Sequence, residues 1–199
     1  MIFVRTLFIS LFLTFNLLPA ADAQQFRPFC GSGVLIIRPF NPESTVAPAP
    51  IPFYRDPGVA RIVERPADGI PSLSSILKMP AGEYPLAVMG KKRSWLRIAY
   101  DDAGREGWVE KARWWDYITW EDFLKGRVAR LLPGLKKEAY SLRESSSPTA
   151  PQTGALSGKE DLRIIEVKDD WALVIAGSGL SGWLAWQDGD GRFLINIGQ

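Results

Sequence analysis

The chain of 199 residues contains no histidine and a single cysteine, Cys30. Without imidazole there is no Ser-His-Asp triad, no Cys-His nucleophile, no HExxH zinc helix and no His-ligated metal. One thiol closes no disulfide within the chain and builds no multi-thiolate metal site. Charge of one sign is also scarce: 24 Lys+Arg stand against 22 Asp+Glu, a formal net charge of +2. A balance so close is not the footprint of a nucleic-acid binder. At 46% hydrophobic and 23% charged, the composition is that of a folded globular chain. Carboxylate chemistry, a Ser-Lys pair, or no catalysis at all remain open.

The surviving catalytic motifs are thin. Ser75-Ile76-Leu77-Lys78 matches Ser-x-x-Lys, but the companion Ser-Asp-Asn and Lys-Thr-Gly motifs are missing. Asp188-Gly189-Asp190-Gly191 resembles part of a calcium loop, yet the first ligand position holds Trp186 and the twelfth holds Ile197. It reads better as a hairpin turn. The acidic pairs Asp101-Asp102, Glu121-Asp122 and Asp169-Asp170 fall in turns or at a helix start, and nothing in their spacing sets two carboxylates across a cleft. The expectation is a non-enzyme without metal or cofactor.

Residues 1–23 carry Arg5, an apolar run over 7–18, Pro19 and an Ala21-Asp22-Ala23 site. This is the pattern of an export signal cleaved after Ala23. The alternative, a membrane anchor, needs more length than this run has to cross about 30 Å of hydrocarbon. The mature protein is then expected to be periplasmic or secreted, meeting a membrane only transiently. Cys30 becomes a leftover thiol, either inert or a link between two copies.

Residues 24–51 form a Pro-rich N-terminal segment with one apolar run, Gly33–Ile37, that suits a short strand. From Phe53 on, short apolar runs recur between Gly, Pro, Asp and Ser, the spacing of small all-β units. Two stretches repeat. The first reads Tyr84-Pro-Leu-Ala-Val-Met, a charged turn, Trp95-Leu-Arg-Ile-Ala-Tyr100, a Gly turn, then Gly107-Trp108-Val109. The second reads Asp161-Leu-Arg-Ile-Ile-Glu-Val167, a charged turn, Trp171-Ala-Leu-Val-Ile-Ala176, a Gly turn, then Gly182-Trp183-Leu184. Upstream, Phe53-Tyr54-Arg55-Asp56 matches Ser141-Leu142-Arg143-Glu144. Each copy predicts a meander of short antiparallel strands with Ile98 and Val174 inward, and with Gly107 and Gly182 at a tight bend or a close backbone approach.

Trp-x-x-[Ile/Val], a Gly turn and Gly-Trp-[Val/Leu], in this order and twice over, resemble the bacterial SH3 (SH3b) domain. The resemblance implies two SH3-like domains, at 52–118 and 135–199, and a mainly β protein of two small SH3-like barrels. The first copy is longer between Arg55 and Trp95, and the excess around residues 65–77 predicts an inserted loop or short helix. Between the copies, Thr119 can cap a helix with Glu121 and Asp122 in its first turn. Trp120, Phe123, Leu124, Val128 and Leu131 fall on one helical stripe, and Pro133-Gly134 stops it. The prediction is one amphipathic linker helix near 120–131, within a linker at 119–134.

Eight tryptophans are unusual in a chain of this length. Trp95, Trp108, Trp171 and Trp183 recur at equivalent places and are read, with Gly107 and Gly182, as structural. Tyr54, Trp114, Trp115, Tyr140 and Trp186 are the candidate ligand-binding residues, since an exposed aromatic stacks on a sugar or holds a peptide at low entropic cost. The competing account is that Trp114 and Trp120 simply pack the linker helix, which is the reading preferred for Trp120 and left open for Trp114, Trp115 and Trp186. Lys91, Lys92, Arg93, Arg97, Lys111, Arg113, Lys136 and Lys137 form either a solvated face or a surface for an anionic muropeptide or protein. The SH3b resemblance implies an exported, non-catalytic module recognising peptidoglycan or another cell-wall component. The alternative is an envelope protein–protein adaptor that takes an extended or Pro-rich segment, with residues 39–52 of the chain itself as one occupant.

Overall fold

The computed structural model describes residues 27–38 and 49–198. The export segment and the middle of the Pro-rich stretch, 39–48, lie outside the described residues. In chain order the strands of the first half are β1 (Gly33–Ile37), β2 (Ile51–Asp56), β3 (Val59–Arg65), β4 (Tyr84–Val88), β5 (Gly90–Lys92), β6 (Trp95–Ala99), β7 (Glu106–Glu110) and β8 (Asp116–Thr119). A short helix α1 (Trp120–Leu124) follows. Then come β9 (Val128–Leu131), β10 (Ser141–Arg143), β11 (Gln152–Ala155), β12 (Leu162–Lys168), β13 (Trp171–Ala176), β14 (Ser181–Ala185) and β15 (Ile195–Ile197). The protein is mainly β.

The repeat is larger than the one legible from the tryptophans. One sheet runs β3-β2-β7-β6-β5, and the start of another runs β11-β10-β14-β13-β12, the same order strand for strand. The correspondence continues. β1 pairs with β4 on one side and β8 on the other, as β9 pairs with β12 and β15. Each copy is therefore a seven-part meander in which β4 and β5 together match β12. In the first copy that strand breaks at Met89, whose N–H turns to the Arg97 carbonyl at 2.7 Å. The break separates β4-β1-β8 from the five-stranded sheet. In the second copy β12 runs through with only a register shift between Ile164 and Glu166, so all seven strands form one sheet. None of the three sheets closes on itself into a barrel.

Two expected boundaries change. β1 lies in the segment read as a Pro-rich leader to the first domain, yet it is fully buried between β4 and β8. β9 lies where the linker helix was expected. That helix ends at Leu124 rather than near 131, because Gly126 takes φ +79° and turns the chain. Beyond it, the burial alternates with a period of two through Val128–Leu131, as a strand between β12 and β15 requires. Thr119 does cap α1, accepting from the Asp122 N–H at 3.3 Å.

Two apolar cores result. Leu35 and Ile37 of β1 enter the core of the first copy with Phe53, Leu96, Ile98 and Val109. Val34 and Ile36, on the opposite face of the same strand, enter the core of the second copy. That face is covered in the first copy only. The position across from Ile36 in the repeat is Arg130, which is exposed and pairs with Asp161 at 2.5 Å. The second core also takes Trp120, Phe123 and Leu124 of α1 and Leu73, Ile76 and Leu77 of the insertion. The insertion forms a 3-10 turn at Ala67–Gly69 and then a loop. Its far end is bonded to the second copy, the Ile197 N–H donating to the Ile76 carbonyl at 2.8 Å.

Gly107 and Gly182 serve close approach and not backbone freedom. A Cβ on Gly107 would stand 3.1 Å from Phe53, and one on Gly182 would stand 3.1 Å from Leu142. The two glycines thus mark Phe53 and Leu142 as equivalents. Tyr54 then corresponds to Arg143, one residue away from the pairing of Arg55 with Arg143 that the sequence suggested. The ladder agrees: Tyr54 sits opposite Trp108, and Arg143 opposite Trp183.

Candidate functional site

An open groove of about 1160 Å³ lies on the second copy. One wall is the β12–β13 turn, with Asp170 and Trp171. A second is the loop 187–190 that follows β14. The lining continues with Leu135 and Lys136, which lead into the 3-10 turn Lys137–Tyr140, and with Glu138 of that turn. Trp171 is half-buried at the head of its strand and lines the groove. Its place just after the turn residues Lys168, Asp169 and Asp170 was the available signal for a partly open indole.

Hydrogen bonds hold the loop in shape. Asp188 accepts the N–H groups of Asp190 and Arg192, each at 3.0 Å, and forms an ion pair with Arg27 at 2.7 Å. Burial alone would raise its carboxyl. The Arg192 N–H, the Arg27 guanidinium and the Asp190 N–H outweigh that and hold it below the usual carboxylate range. Gln187 Nε2 donates to Asp170 at 2.5 Å, tying the loop to the wall beside Trp171. Arg192 Nη1 donates to the Arg27 carbonyl at 2.6 Å, so the N-terminal segment seals one end. The groove combines a partly open indole with acids (Glu138, Asp170, Asp188, Asp190) and bases (Arg27, Lys136).

At the matching place of the first copy lies a small pocket of about 200 Å³, lined by Pro50, Pro52, Tyr54, Glu110 and Trp115. Glu110 ends β7 as Ala185 ends β14, each opposite the first tryptophan of its copy.

The aromatic candidates scatter. Tyr54 is half-buried, edge-on to Trp95 at 5.4 Å, and lines the small pocket. Trp115 lines it too but is buried. Trp186 is 2% exposed, within a cluster of Trp120 and Phe193, and donates to the Asp169 carbonyl at 2.8 Å. Its ring belongs to the core. Tyr140 is half-buried beside Gly158. Trp114 is 44% exposed. The four repeated tryptophans are half-buried on the sheets, Trp120 is buried on the helix stripe as expected, and the candidates Trp115 and Trp186 lie deeper than the repeated four.

Cys30 is fully buried at 0%. Burial pushes its thiol up, with the charges of Asp188 and Asp170 adding and Arg27 opposing. A thiol so enclosed is inert and gives no link to another copy. Among the described residues no group of acids and thiols has the arrangement to hold a metal ion, and no helix is long and apolar enough to cross a membrane. No family model matches the chain, and no curated protein matches it either.

Proposed function

We propose that the protein is an exported, non-catalytic binding module built from two SH3-like units, and that the groove of the second unit takes a cell-wall peptide. The observation that supports this reading is the groove itself, with the Trp171 indole between acids and bases. Wall stem peptides carry free amines and free carboxylates on a short extended chain. Asp170, Asp190 and Glu138 suit the amines, and Lys136 suits a carboxylate. The indole offers a rigid apolar face that costs little entropy to order.

Pull-down on purified peptidoglycan sacculi tests the reading. The protein is expected to be enriched with the sacculi, and Trp171→Ala to abolish that enrichment. Trp108→Ala, in the first copy away from the groove, is expected to leave it intact. No enrichment of the unmutated protein, or equal enrichment of all three, would remove the proposal.

The adaptor reading rests on one further observation. In the first copy Pro50 and Pro52 of the chain itself line the small pocket beside Tyr54 and Trp115. Proline against aromatic rings is the mode by which SH3-like grooves take extended segments. This pocket is far smaller than the groove, which favours the second copy as the one to take a ligand.

A further inference from the structure

We propose that the tip of the first copy is a docking surface for an anionic lipid membrane. The tip is made of two segments. One is the β5–β6 hairpin, with Lys91, Lys92 and Arg93; the other is the link from β7 to β8, with Lys111, Arg113 and Trp114. The Lys111 N–H donates to the Ser94 carbonyl at 2.9 Å, and Lys91 Nζ lies 4.6 Å from the centre of the Tyr117 ring, so the link runs alongside the hairpin. Within 91–94 and 110–114 there are five cations and one carboxylate, Glu110. All but Lys111 of these cations are exposed.

The surplus is local. Over the described residues up to 119 there are 13 Lys+Arg and 9 Asp+Glu, whereas residues 120–198 carry 10 and 11. Positive charge is therefore concentrated in the half that lacks the large groove. Arg93 is held at φ +58° at the head of the hairpin, in a tight two-residue turn that projects the cations.

A lipid surface fits better than a soluble polyanion because of Trp114. Among the described residues it is the one exposed tryptophan, at 44%, and it follows Arg113 directly. Indole beside Lys and Arg is the side-chain set that settles at the headgroup level, with the ring among the acyl carbonyls and the cations on lipid phosphates. Each such cation contributes about 1 kcal/mol near an anionic surface. This surface needs no part of the wall-binding groove. It departs from the expectation that the chain meets a membrane only during export.

Co-sedimentation with vesicles tests it, using protein freed of residues 1–23 so that the apolar leader carries no binding. Every described residue lies beyond that cut. Vesicles of phosphatidylcholine with phosphatidylglycerol are expected to pull the protein down in low salt and to release it in high salt. Phosphatidylcholine alone is expected to leave it in solution. The triple variant Lys92→Gln, Arg93→Asn, Arg113→Gln should bind about a hundredfold more weakly. Trp114→Ser should weaken binding with an unchanged melting temperature. The proposal is overturned if neutral vesicles bind as well, if the triple variant binds like the unmutated protein, or if polyphosphate binds where anionic vesicles do not. Sacculus binding by the triple variant is expected to persist, so failure here and failure of the groove proposal are told apart.

Discussion

Two tryptophans at opposite depths show how burial decides what a side chain does. Trp186→Ala would leave a hole between Trp120 and Phe193 and orphan the Asp169 carbonyl. A loss of about 3–5 kcal/mol is expected, read from chemical denaturation. Trp171→Ala removes a half-buried ring at a groove edge and should cost well under that, while still ending ligand capture. Gly182→Ala acts through space alone: its new Cβ would meet the Arg143 carbonyl and Thr153 Oγ1, each at 3.0 Å. About 1–3 kcal/mol of destabilisation is expected. Asp188 adds a pH dependence. Its folded carboxyl titrates lower than its unfolded one, so its bonds to the Arg192 N–H, to Arg27 and to the Asp190 N–H stabilise the fold fully above the unfolded value of about 4. That contribution drains as the pH falls through the depressed folded value. Thermal melts between about pH 6 and 2 should show a shallower acid slope for Asp188→Asn than for the unmutated chain.

Among the elements, the strands that alternate were readable from residues alone. Leu162, Ile164, Ala172, Val174 and Leu184 are all buried where a period of two puts them. The helix was half readable. Trp120, Phe123 and Leu124 satisfy a helical stripe, and α1 buries all three. Val128 and Leu131 fit the same stripe by coincidence of spacing, and pairing with β12 and β15 overrides it, because those strands would otherwise leave ladder groups unpaired. The turn at Gly126 was the readable hint. Gly126→Ala would force φ +79° on a residue with a Cβ, with open space around it, and should cost about 1–2 kcal/mol from strain alone. β1 was the least readable element. An unbroken apolar run states that both faces are buried and does not say by what. Its twin in the repeat was findable by a different signal: Ile37-Arg38-Pro39 and Leu131-Leu132-Pro133 end the two strands alike. The groove was missed because the stretch 133–139 and the loop 187–190 that wall it lie outside the duplicated pattern, which marks only the turn before Trp171.

For the molecule as a whole, the repeat gives two sheets' worth of equivalent strands, but the cores are not shared out equally. The first copy lends the second β1's Val34 and Ile36 and the insertion's Leu73, Ile76 and Leu77. The Trp120 indole, at the junction, donates to the Cys30 carbonyl at 2.8 Å. β9 and β15 then complete the sheet against which these side chains pack. A chain of residues 135–199 alone would keep β10 to β15 but lose β9, so β15 would have no strand to pair with. Its apolar face would lie open where Leu77, Phe123 and Leu124 now cover it. That fragment is expected to be unfolded or aggregated in circular dichroism and light scattering, while the protein from residue 24 onward melts in one cooperative transition. Val34→Ala and Leu35→Ala sharpen the test, because they strike opposite cores from adjacent positions of one strand. If the copies are one cooperative body, both variants lower the same single transition, Leu35→Ala by about 2–5 kcal/mol. If each copy stands alone, Leu35→Ala splits the melt into two steps and leaves the second copy's step where it was.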